Sequence, residues 1–203
     1  MKTFSIIGVI AINCFILVRY CWLIYHQKIK PAMAMWLFFS IAAGGSLLTY
    51  LSEGDYGLLD NIVNTADILL VVTVTVFILI YGDKSTRFNR FDTGCLIAVL
   101  LILIFWMLTK YHVTAHLCIQ LILVVGYFPV VRRLWQSGKN TESYAAWIGL
   151  LLAPIVSLLS SKGALATVYA VRAIVSTSVL LVLMVRADLK EKKVLTQKVT
   201  TTS

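Results

Sequence analysis

Charged side chains are scarce in this sequence: they make up 13% of 203 residues, against about 25% in an ordinary soluble domain, while 60% are apolar. So little charge with so much apolar surface excludes a disordered chain and marks a membrane protein. Cysteine is sparse as well. Cys14, Cys21, Cys95 and Cys118 all fall within apolar runs with no pair at metal-ligand spacing, which excludes a disulfide-stapled secreted module and leaves them as packing residues. The histidines are His26, His112 and His116. His112 and His116 share a helix face at i, i+4 without an acidic partner, so no metal centre is expected. Glycine has no three-residue period, which excludes a collagen-like chain. No Ser-His arrangement, facing Asp-Asp pair or His-Glu-x-x-His motif occurs, so the chain is not read as an enzyme and no cofactor is expected. The last apolar run has no lysine that could hold retinal as a Schiff base.

Long apolar runs are what the sequence has in abundance. Seven of them approach the roughly 17 to 25 residues that a helix needs to cross a bilayer: Phe4–Tyr25, Ala32–Leu51, Leu58–Tyr81, Thr93–Thr109, Val113–Val131, Tyr144–Ser160 and Ala164–Val185. They are continuous rather than alternating, which predicts helices and not barrel strands. The expectation is an all-α polytopic membrane protein with seven transmembrane helices. Its connections are too short for a soluble domain. The first run is read as a retained helix rather than a cleaved signal peptide, because it stays apolar past twenty residues and lacks a small-x-small cleavage site.

Cytoplasmic loops retain Lys and Arg, and here the asymmetry is strong. With the N-terminus outside, thirteen basic residues fall inside: Lys28 and Lys30; Lys84, Arg87 and Arg90; Arg132, Arg133 and Lys139; and Arg186, Lys190, Lys192, Lys193 and Lys198. Only Lys2, Lys110 and Lys162 fall outside. The predicted orientation is N-out, C-in, as a multi-pass protein of the cell membrane. The net charge of +9 is then positive-inside bias, with anionic lipid contact at the tail, and not a nucleic-acid surface. Arg19, near the inner end of helix one, reads as a snorkelling side chain.

A weak internal repeat is visible. Arg19-Tyr20-Cys21-Trp22 is followed by a basic turn at Lys28-Ile29-Lys30-Pro31 and by Trp36, which opens helix two. In the second half, Gly126-Tyr127-Phe128-Pro129 leads to Arg132-Arg133-Leu134-Trp135, then a polar turn from Gly138 to Glu142-Ser143, and Trp147 opens helix six. Helices one to three then correspond to five to seven. An odd linker helix keeps the two halves parallel, a 3+1+3 arrangement. The membrane domain is read as 1–189, with repeat one at 4–82, linker helix at 93–109 and repeat two at 113–186, followed by a cytoplasmic tail at 190–203 whose last residues are expected to be disordered.

Pro129 before a basic turn, with a Ser at the next helix, looks like a degenerate PQ-loop motif. With the parallel triple-helix repeats, the chain resembles the SWEET and PQ-loop superfamily of seven-helix membrane proteins. Lys28-x-Lys30-Pro31 with Trp36, then Asp92, then Phe128-Pro129 to Trp135 with Glu142-Ser143, is also similar to a group of bacterial seven-helix proteins of unassigned activity. The resemblance implies the fold and a solute site between the repeats. Val130 stands in place of the motif's Gln, and Arg19 stands where the first half would carry its Pro. SWEET proteins carry an Asn on the third helix of each half. Asn64 matches that position in helix three, whereas helix seven offers Arg172.

Ionisable residues at bilayer depth cost about 2.5 to 3.5 kcal/mol each on insertion scales, so they face the bundle interior. Helix three carries Asp60, Asn64 and Asp67 on one face, and helix seven carries Tyr169, Arg172 and Ser176 on one face. Asp67 and Arg172 lie at matching depth, about 13 Å into their helices at 1.5 Å per residue, which predicts a buried pair between the halves. Asn13 and Gln120 lie at similar depth. The candidate substrate-binding residues are therefore Asn13, Asn64, Asp67, Gln120, Tyr169 and Arg172, with a satisfied structural ion pair that fixes how the halves dock as the competing reading. Trp22, Trp36, Trp135 and Trp147 are expected at the headgroup level, with Trp36 and Trp147 as gate candidates. Pro129 and Pro154, with Gly44, Gly45 and Gly149, are candidate hinges or close-packing surfaces.

Two functions follow. The chain is expected to be a transporter or facilitator of a small polar or anionic solute with a midplane site. The alternative is a non-transporting assembly or sensory component that holds a partner through its basic cytoplasmic face. The expected partners are the lipid bilayer, the solute and a second copy of the chain, and nucleic acid is not among them.

Overall fold

The computed structural model describes residues 1–31, 33–82, 90–137, 140 and 142–201, without the side chains of 91, 92, 95, 129, 133, 137 and 193–201. Lys84, Arg87 and Lys139 of the expected basic loops, and the side chains of Asp92, Cys95, Pro129, Arg133, Lys193 and Lys198, lie outside the described residues.

Among the described residues every regular element is helical. They run α1 (Lys2–Tyr25), α2 (Met33–Glu53), a 3-10 turn (Leu58–Asn61) leading into α3 (Ile62–Tyr81), α4 (Arg90–Thr109), α5 (His112–Val125), α6 (Phe128–Ser137), α7 (Tyr144–Ser157) and α8 (Ala164–Thr201). Five stretches are long and apolar enough to cross a membrane: Lys2–Tyr25, Met33–Glu53, Leu58–Tyr81, His112–Gln136 and Ala164–Lys192. Leu96–Thr109 and Tyr144–Ser157 are shorter apolar helices. Their outward faces carry large exposed apolar side chains, including Phe4, Val18, Leu69, Leu101, Leu108 and Val182, as a lipid-facing surface requires.

Two elements differ from the apolar runs. The run Val113–Val131 is broken in two. α5 closes at Gly126, whose N–H bonds Ile122 O at 2.8 Å, and α6 restarts with Pro129 in its first turn, where a missing N–H has no helical partner to lose. α8 continues as helix to Thr201 through the residues read as a tail, because Lys190, Glu191, Lys192 and Lys193 end the apolar run while remaining good helix formers.

Packing joins these helices in a definite order. α3 lies against both α1 and α2, and α8 lies against α5, α6 and α7. α1 packs on α7, α2 packs on α5, and α4 covers α2 and α5. The α1–α7 contact depends on Gly149: a Cβ there would sit 2.7 Å from Ile16 Cγ1. At the other end of α7 the chain turns through Gly163 at φ +82°, where a side chain would also strike the Tyr56 hydroxyl at 2.7 Å.

Candidate functional site

Four helices each bring two polar side chains, one turn apart, to a common interior point. α2 supplies Ser46 and Thr49, α3 supplies Asn64 and Asp67, α5 supplies His116 and Gln120, and α8 supplies Tyr169 and Arg172. The i, i+3 or i, i+4 spacing puts each pair on one face, so inward rotation of each helix buries both members together.

The pairs form one hydrogen-bonded layer. Arg172 Nε donates to Gln120 Oε1 at 3.1 Å, and Gln120 Nε2 donates to Ser46 Oγ at 2.8 Å. The Ser46 hydroxyl meets the Asn64 amide at 3.1 Å; with that amide turned so that its nitrogen donates to Ala43 O at 3.1 Å, its oxygen accepts the serine proton. His116 lies 3.2 Å from Gln120 Nε2 through its Nε2, and its Nδ1 lies 3.1 Å from both Thr49 Oγ1 and Ser46 O. On the other side of Arg172, the Tyr169 hydroxyl donates to Asp67 Oδ2 at 2.9 Å, and the guanidinium carbon sits 4.6 Å from the Tyr169 ring centroid.

Asp67 and Arg172 therefore share a neighbour and form no ion pair with each other among the described residues. The expected direct pair is replaced by Asp67–Tyr169–Arg172, because Tyr169 lies one turn from Arg172 on α8 and its hydroxyl reaches the carboxylate. Asp67 and Arg172 line a central cavity of about 40 Å³, together with Trp36, Tyr127, Pro154 and Thr177. Arg172 and Tyr127 also line a larger groove of about 500 Å³ between α5–α6 and α8.

The bundle is held at both ends. At the basic end, the Glu142 carboxylate is buried and its Oε2 accepts from the Tyr20 hydroxyl at 2.6 Å and from Trp147 Nε1 at 3.3 Å. Tilted rings pack beside it, Tyr20 against Trp36 at 4.9 Å and Tyr127 against Trp147 at 5.9 Å between centroids. At the opposite end, Lys2 pairs with Asp60 at 2.7 Å, Lys162 N donates to Asp60 O at 2.9 Å, and Tyr50 stacks on Tyr56 while its hydroxyl donates to Lys162 O at 2.9 Å.

Of the expected site residues, Asn64, Asp67, Gln120, Tyr169 and Arg172 come together. Asn13 does not. It is buried, donates to Val9 O within its own helix at 3.1 Å, and lines a separate groove of about 290 Å³ with Leu17, Leu69 and other side chains of α1 and α3. Asp60 leaves the face of Asn64 and Asp67 because the 3-10 turn at Leu58–Asn61 interrupts the helical period there. Trp36 and Trp147 are 1% and 0% exposed, inside the bundle beside Glu142, whereas Trp22 and Trp135 are exposed. Pro154 lies inside α7 and lines the cavity, and the Pro129 backbone opens α6. Ser46, Thr49, His116 and Glu142 were not singled out as site residues; the signal for His116 was its i, i+4 spacing to Gln120.

No protein-family model matches this chain, and no curated protein or solved structure is significantly similar to it.

Proposed function

We propose that the protein is a seven-span transporter or facilitator of a small anionic solute, working by alternating access around Arg172. The observation that carries this reading is a guanidinium at bilayer depth that faces a cavity and is held by a neutral amide and an aromatic ring in place of a carboxylate. A cation kept at that depth at a cost of a few kcal/mol, and not neutralised directly, is suited to take a carboxylate in bidentate fashion. The surrounding amide, hydroxyl and imidazole groups hold it at one position.

The packing order supports a 3+1+3 arrangement with α4 as the linker. α3 lies against α1 and α2 as α8 lies against α5, α6 and α7; α1 meets α7 as α5 meets α2. Exchanging the halves leaves that pattern unchanged. Side chains agree: Asn13 and Gln120 each precede a tyrosine by seven residues, and those tyrosines, Tyr20 and Tyr127, pack in tilted contact against Trp36 and Trp147 respectively. A cavity of about 40 Å³ has room for water and not for a sugar, and it lies between the two held ends, as in an occluded state. Transport then requires the Tyr20–Glu142–Trp147 contact and the Lys2–Asp60–Lys162 contact to open in turn. The positive-inside count supports N-out, C-in in the cell membrane.

A thermal-shift screen of the detergent-purified chain tests the site, with lactate, succinate, glutamate and glucose as probes. Stabilisation by at least one carboxylate and none by glucose, lost in Arg172→Gln, is the expected result. Stabilisation that Arg172→Gln leaves intact, or none by any carboxylate, contradicts it.

A further inference from the structure

We propose that the seam between α6 and α8 is a seat for an anionic phospholipid, with the headgroup phosphate on Arg186 and Lys190 and an acyl chain in the groove between α5–α6 and α8. The far end of that groove is lined by Arg172, so the seat adjoins the solute site, and the two are told apart by reading lipid retention alone. At the basic end, a pocket of about 190 Å³ is lined by Leu134 and Trp135 from α6 and by Leu183, Arg186 and Lys190 from α8. Arg186 lies over the Trp135 ring at 4.7 Å from its centroid, a contact that orients the guanidinium and leaves its N–H groups to the pocket mouth. Arg186 and Lys190 are one turn apart on the same face, and Arg132 is exposed one turn before Trp135 on α6. Asp188 is engaged elsewhere, accepting from the Tyr144 hydroxyl at 2.7 Å, whereas Glu191 lies one turn beyond Ala187, which also lines the pocket, so one acidic side chain stands beside the two basic ones.

The pocket continues into the apolar groove. Val131 and Val179 line the groove, and Leu134 and Leu183, one turn further along the same faces, line the pocket. From Arg186 back to Thr167 the pocket and groove together follow nineteen residues of α8, about 28 Å, and the eleven down to Val175, about 16 Å, are long enough for an acyl chain of one leaflet before Arg172 is reached. A basic mouth with an exposed tryptophan at one end, and an apolar trough long enough for an acyl chain behind it, match a phosphate on an acyl chain in charge and in apolar character. A soluble phosphate would have no use for the trough, and a second copy of the chain would have to present an acidic side chain to the mouth.

Native mass spectrometry of the full chain, with dioleoyl phosphatidylglycerol and dioleoyl phosphatidylcholine added in turn, tests the seat. The expected result is preferential retention of phosphatidylglycerol, weakened about twentyfold in Arg186→Gln/Lys190→Gln, since each basic side chain at such a site contributes about a fivefold factor. Val179→Phe, an exposed position that fills the trough, weakens retention too, and Lys28→Gln/Lys30→Gln, which removes the same charge elsewhere at the basic end, leaves it unchanged. Equal retention of the two lipids, equal loss in the Lys28/Lys30 variant, displacement by inorganic phosphate alone, or a dimer in place of the lipid adduct overturns the proposal. None of these outcomes depends on whether the chain moves a solute.

Discussion

The Glu142 carboxylate binds two helices to one loop: the Tyr20 hydroxyl reaches it from α1 and the Trp147 indole N–H from α7, at 2.6 and 3.3 Å. Hydrogen bonds to a buried charge contribute about 1.5 to 3 kcal/mol each. Tyr20→Phe should therefore lower unfolding free energy in detergent by about that much, and Glu142→Ala by more, because it strands both donors in the core. A denaturation series of the two variants checks the order; a Glu142→Ala loss no larger than that of Tyr20→Phe would show that the carboxylate is not the shared acceptor. The central layer is partly legible in the sequence for the same physical reason that makes it costly. Asn64, Asp67, Gln120, Tyr169 and Arg172 stand out because polar side chains in apolar runs must turn inward. Ser46 does not stand out, since a hydroxyl beside Gly44 and Gly45 reads as a small packing surface. Asn13 marks the limit: depth follows from residue count, but rotation about the helix axis is set by neighbours, and α1 turns Asn13 toward the α1–α3 groove.

At the scale of an element, α7 is closely confined against α1. An ideal Cβ on Gly149 would lie 2.7 and 2.9 Å from Ile16 Cγ1 and Cδ1, whereas one on Gly44 of α2 would meet nothing within 4 Å. Gly149→Ala is expected to cost about 1 to 3 kcal/mol by overpacking the α1–α7 contact, and Gly44→Ala to be neutral or slightly stabilising through helix propensity. Thermal midpoints of the two variants decide this, and equal midpoints would mean that Ile16 gives way without cost. Helix positions were readable from apolar runs, because length and hydropathy alone determine what can cross a bilayer. The break between α5 and α6 was not, since an apolar run carries no period that reports an interruption at Gly126–Tyr127. The end of α8 was missed for the opposite reason: charge stops an apolar run without stopping a helix.

At the scale of the whole molecule, the described residues combine a polar interior layer with contacts that hold the bundle at two ends. A purely structural layer would be expected to bring its opposite charges into direct contact. Here the arginine and the aspartate lie on either side of a tyrosine instead. The proposed solute capture at Arg172 would account for that spacing, with Asp67 holding Tyr169 in place. The most direct test is uptake into proteoliposomes by the unmodified chain, Arg172→Lys and Arg172→Gln, using the carboxylate that stabilises the protein best, with thermal midpoints measured on the same preparations. The account predicts uptake by the unmodified chain, partial uptake by Arg172→Lys and a loss of about tenfold or more in Arg172→Gln while the fold is retained, as removal of a charge-assisted hydrogen bond implies. Uptake by Arg172→Gln equal to that of the unmodified chain, or no uptake by any of the three, would contradict it.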